Sequence, residues 1–75
     1  MPIENTSPQF IEFYKKKALN LVEISQNHYK NRELKKACEL LSQAYSFYKK
    51  AGELDNAEQV KKRFEEIKTE LKSGA

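Results

Sequence analysis

The 75-residue chain has one cysteine, one histidine, one methionine, one aspartate, no tryptophan, two glycines and two prolines. Each scarcity removes a class of protein. A lone Cys38 excludes an intrachain disulfide and fits a reducing, cytoplasmic setting, where it reads as a small buried hydrophobe. With so few glycines and prolines, the chain is too ordered for a low-complexity tail. No glycine-rich phosphate loop occurs, because Gly52 and Gly74 are isolated. No apolar run reaches the ~18 residues of a membrane span, and Met1–Pro8 carries no basic segment followed by an apolar stretch, so neither a span nor a signal peptide is expected.

Catalytic and metal chemistry are equally poorly supplied. His28 and Cys38, the soft ligands available, fall on different predicted helices, and Glu65 and Glu66 are helix neighbours that point apart. His28 has no nearby nucleophile to activate and reads as a partly buried or surface residue. No cofactor, no metal and no enzymatic activity are expected.

What is abundant is helix-forming, charged sequence. Charged residues make up 33% of the chain and the hydrophobic set 39%, which suits one small domain with an amphipathic interior. The spacing predicts three helices, over about residues 7–29, 33–51 and 55–72, after a flexible arm at 1–6 and before a tail at 73–75. Ser7-Pro8 reads as an N-cap followed by proline at the first helical position. Helix one carries Phe10, Ile11, Phe13, Tyr14, Ala18, Leu19, Leu21, Val22 and Ile24, a stripe so broad that two neighbours are expected to cover it. Helix two repeats Leu34, Ala37, Cys38, Leu41, Ala44, Tyr45 and Tyr48 at steps of three and four, flanked by Leu40, Phe47 and Ala51. Gly52 is placed to stop it. Helix three is expected to begin at Asp55, with Asp55 and Glu58 as a capping box, and to bury one narrow stripe of Leu54, Ala57, Val60, Phe64, Ile67 and Leu71.

Short connections between helices of similar length force neighbours antiparallel, so the fold class is all-α, an up-down-up three-helix bundle. That register predicts Phe13 and Tyr14 near Tyr45 and Tyr48, Leu21 near Leu41, Ile24 near Ala37, Leu41 near Phe64, and Leu34 near Leu71. The turn between helices one and two is predicted at Lys30–Arg32. Phe13, Tyr45 and Tyr48 are read as core, while one helical face cannot bury Tyr45, Phe47 and Tyr48 together. An accessible aromatic patch edged by lysine is therefore expected at one end of the first helix pair.

The net charge is +3, from 14 basic against 11 acidic residues. Lys15-Lys16-Lys17, Lys35-Lys36, Lys49-Lys50 and Lys61-Lys62-Arg63 could contact phosphates, which keeps a small nucleic-acid-binding protein as an alternative. These clusters are interleaved with glutamates, and lysine far outnumbers the arginine that base reading favours, so a solvated mixed-charge surface explains most of them. A self-associating subunit, completed as a homodimer, is a further alternative.

Lys17-Ala18-Leu19-Asn20-Leu21-Val22, Ala37-Cys38-Glu39-Leu40-Leu41-Ser42-Gln43-Ala44 with Phe47-Tyr48, and Phe64-Glu65-Glu66-Ile67-Lys68-Thr69-Glu70-Leu71-Lys72 together resemble the MIT (microtubule-interacting and trafficking) domain over about residues 8–72. Tyr48, Gly52 and Ala57 are more faintly similar to a tetratricopeptide-repeat hairpin. The MIT resemblance implies a non-catalytic adaptor module, a three-helix bundle that accepts a short amphipathic helix between helices two and three. Tyr45, Lys49, Lys61 and Lys68 are the candidate contacts, and their lysines imply an acidic protein or peptide partner.

Overall fold

The computed structural model describes residues 8–74, which form three α-helices and two tight turns. They are α1 (Pro8–Lys30), α2 (Leu34–Lys50) and α3 (Leu54–Gly74), and no strand occurs among the described residues. The expected arm at 1–6 and the Ser7 cap lie outside the described residues. The tail expected from residue 73 is a continuation of α3, which runs on through Ser73 to Gly74.

Both turns are built the same way. In the first, Arg32 N–H donates to Tyr29 O at 2.9 Å and Glu33 N–H to His28 O at 2.8 Å. In the second, Gly52 N–H donates to Lys49 O at 3.0 Å and Glu53 N–H to Tyr48 O at 2.9 Å. These paired bonds satisfy carbonyls that a helix end leaves open, and they require a left-handed residue, supplied by Arg32 (φ 68°) and Gly52 (φ 77°).

The next helix starts immediately after each turn. Ala37 N–H bonds Glu33 O, and Ala57 N–H bonds Glu53 O, both at 3.0 Å. Glu53 thus stands where Asp55 was expected to cap. Its carboxylate accepts from the Asn56 side chain at 3.1 Å, and Asp55 lies inside the first turn, where its charge suits the helix dipole. The shifted start carries Leu54 out of the predicted stripe, and it is 61% exposed.

The helices form the expected antiparallel bundle, with α2 at its centre. α1 and α3 each pack closely along α2, whereas their own backbones approach each other little. The cross-section of 19 × 17 Å against a length of 45 Å is nearly round, so the three axes form a triangle with a gap along the α1–α3 edge. Ala18, Ala37, Ala44 and Ala57, all buried, allow close approach to α2. Around them pack Leu21, Leu40, Leu41, Tyr48, Val60, Ile67 and Cys38.

α1 is therefore covered by one close neighbour rather than the two its broad stripe suggested. Phe10, Phe13, Leu19 and Ile24 remain exposed. The aromatic register also differs. Tyr14 meets Phe47, with ring centroids 5.8 Å apart, and Phe13 packs edge-on against Tyr14 at 5.7 Å. Phe47 and Tyr45 are two residues apart on a helix and face opposite flanks of α2, so Phe47 serves α1 while Tyr45 looks toward α3. Phe13, read as core from the sequence, is 57% exposed.

Candidate partner-binding groove

Tyr45 and Phe64, both half-buried, face one another across the seam between α2 and α3. With Ser42, Lys61 and Glu65 they line a groove of about 170 Å³. Each ring carries a lysine. The Lys49 ammonium is 5.5 Å from the Tyr45 centroid, and Lys68 is 5.7 Å from that of Phe64. Both follow from helical spacing, since residues four apart share a face. The four candidate contacts thus gather along one seam, with Tyr45 and Lys61 lining the groove and Lys49 and Lys68 on its aromatic walls.

Cys38 lies beneath this seam. It is buried, and its thiol sits 4.0 Å from Phe64 O. Burial pushes the thiol up from its ordinary range, against a smaller downward pull from the Lys68 ammonium. A protonated, enclosed thiol is a poor nucleophile, so Cys38 contributes packing to the core beneath the groove.

The sequence did not announce a second, larger opening. The gap between α1 and α3 is a cleft of about 330 Å³, floored by Leu41 and Tyr48 of α2 and walled by Leu19, Val22, Val60 and Ile67 among others. Its ends are tied. Tyr29 Oη donates to Glu70 Oε2 at 2.8 Å, and the Arg63 guanidinium lies 4.6 Å from the Tyr29 centroid. Arg63 also donates to Glu66 at 3.0 Å, and that bond is the main cause of its raised pKa. At the opposite end, Lys15 of α1 reaches Glu53 at 3.7 Å. The breadth of the α1 stripe was the available signal for this cleft, since Leu19 and Val22 both line it.

His28 pairs with Glu33 across the first turn, a local tie between the end of α1 and the start of α2. Among the described residues, no group of three or more His, Cys, Asp or Glu is arranged to hold a metal ion. No helix among them is long and apolar enough to cross a membrane. The chain matches no protein-family profile, no curated protein and no solved structure.

Proposed function

We propose that this chain is a non-catalytic protein-interaction module whose α2–α3 groove binds an acidic amphipathic helix, the mode implied by its resemblance to MIT domains. The observation that carries this reading is the pairing of aromatic walls with lysines. Tyr45 under Lys49 and Phe64 under Lys68 offer apolar surface to the buried face of a ligand helix, and Lys61 adds a third cation at the lip. The lining itself holds one cation, Lys61, and one carboxylate, Glu65, and Lys49 and Lys68 over the aromatic walls tip the field toward a negatively charged ligand. A half-buried aromatic with a cation alongside is also the kind of anchor that suits helix-in-groove binding.

Titration of isotope-labelled protein with an acidic amphipathic peptide, followed by NMR, tests the proposal. Shift changes are expected along Ser42, Tyr45, Lys61, Phe64 and Lys68. The K61E/K68E double variant should weaken binding by roughly tenfold, and added salt should weaken it further. Shifts confined to α1, or a double variant that binds as well as the original, would refute the groove assignment.

A further inference from the structure

A different face of the molecule carries its most exposed aromatic surface. On α1, Phe10, Phe13, Lys17, Asn20 and Ile24 recur at steps of three and four and share one side of the helix. Phe10 is 44% exposed, Phe13 57% and Ile24 36%. Gln43, Phe47 and Lys50 of α2 continue this surface, joined to it where Tyr14 meets Phe47. Lys50 stands over both rings, 5.7 Å from Tyr14 and 5.6 Å from Phe47.

None of these residues is acidic. The exposed Glu23 borders this face beside Ile24, and the other nearby carboxylates are drawn elsewhere. Glu12 and Glu53 both approach Lys15, at 3.8 and 3.7 Å, on the side of α1 that faces α3. Glu39 is occupied with Lys36 at 4.0 Å.

We propose that this face of α1 and α2 is a docking surface for an anionic lipid bilayer. Phe10, Phe13 and Ile24 would enter the boundary between headgroups and acyl chains, while Lys17 and Lys50 remain among the lipid phosphates and carboxylates. The arrangement has the two elements that reversible surface binding needs, exposed apolar side chains and cations beside them, with Glu23 at its margin. Lysine stems suit the task, because their methylenes lie along apolar surface while the ammonium stays in the polar layer. A second copy of the chain fits less well. Face-to-face pairing would bring the Lys17 and Lys50 ammonium groups of both copies into one interface, against Glu23 at the margin of each copy's face. Nucleic acid would use the phenylalanines for stacking but has no use for Ile24.

Co-sedimentation with vesicles decides the matter. The full chain is expected to pellet with vesicles of phosphatidylcholine and phosphatidylserine, more completely at low salt than at physiological salt, and to remain in solution with phosphatidylcholine alone. F10S/F13S changes two exposed positions, so helicity by circular dichroism should be retained while vesicle affinity falls at least about tenfold. K17E should reduce the preference for phosphatidylserine. The proposal is overturned if the original protein stays in solution with anionic vesicles at low salt, if it binds both vesicle types alike, or if F10S/F13S binds undiminished. A concentration-dependent dimer, or a complex with a single-stranded oligonucleotide, that F10S/F13S abolishes while vesicles remain unbound would assign the face to that partner instead.

Discussion

Arg32 and Gly52 hold equivalent positions in the two interhelical turns, each with a left-handed backbone and each followed by a glutamate that opens the next helix. The same motif is thus made once with the residue suited to it and once without. A side chain in this region clashes with its own carbonyl, at a cost of roughly 1–2 kcal/mol, which glycine avoids. The first turn tolerates that cost because two backbone hydrogen bonds and the His28–Glu33 pair fix it.

Arg32→Gly should therefore stabilise the protein. Part of the gain is offset by the greater unfolded freedom of glycine, leaving about 0.5–1 kcal/mol, or a rise of a few degrees in Tm. Gly52→Ala should do the reverse. A Cβ at Gly52 meets nothing within 4 Å, so the loss, about 1–2 kcal/mol, comes from the backbone alone. Thermal unfolding followed by circular dichroism measures both, and a neutral Arg32→Gly would show that the turn carries no such strain.

Truncation of large side chains should separate core from surface sharply. Leu41 and Ile67 are 1% and 2% exposed, and either change to alanine should cost about 2–5 kcal/mol, a large part of the stability of so small a domain. Phe13→Ala should change stability by no more than about 0.5 kcal/mol, despite the larger side chain removed. Urea unfolding of the three variants tests this ordering, and a Phe13 cost comparable to that of Leu41 would contradict the exposure of α1.

Alkaline pH should destabilise the fold. Burial raises the Cys38 thiol and, with the nearby Glu53 carboxylate adding to it, the Tyr48 phenol. For a group raised in the folded state, the folded form holds its proton longer than the unfolded form. The stabilisation is complete below the unfolded pKa and is lost as pH climbs through the folded one. The contribution of these two groups should thus begin to fall near ~8.5, where an unfolded thiol ionises, and again near ~10 for tyrosine. Cys38→Ala should flatten the first part of that slope and Tyr48→Phe the second, as read from urea midpoints across pH. An unchanged slope in Cys38→Ala would exclude the thiol as its source.

The two turns also show how far local sequence can be read. Gly52 marks its turn by residue type, whereas Arg32 takes the same conformation without any such mark, and the flanking Asn27 and Asn31 were the visible hint. Capping was misplaced for a related reason. Asp55 with Glu58 has the spacing of a capping box, but the turn after Gly52 had already committed Glu53 N–H to Tyr48 O, and α3 begins from there. Tyr45, Lys49, Lys61 and Lys68 were brought forward as one seam by the resemblance; four-residue spacing sets Lys49 beside Tyr45 and Lys68 beside Phe64, but only the packing of α2 on α3 brings the two pairs together.

The sequence by itself determined the three amphipathic helices, their turns and the buried alanine and leucine rows, because helical periodicity and turn chemistry act between residues a few positions apart. It could not determine how the helices share their flanks. Only tertiary packing decided that α2 would be central, that Phe47 would go to α1 and Tyr45 to α3, and that α1 and α3 would leave a cleft above Leu41 and Tyr48. A broad apolar stripe looks the same whether a neighbour covers both its edges or one. The choice rests on the angle at which small residues such as Ala18, Ala37, Ala44 and Ala57 let the axes meet, and that angle belongs to the assembled bundle.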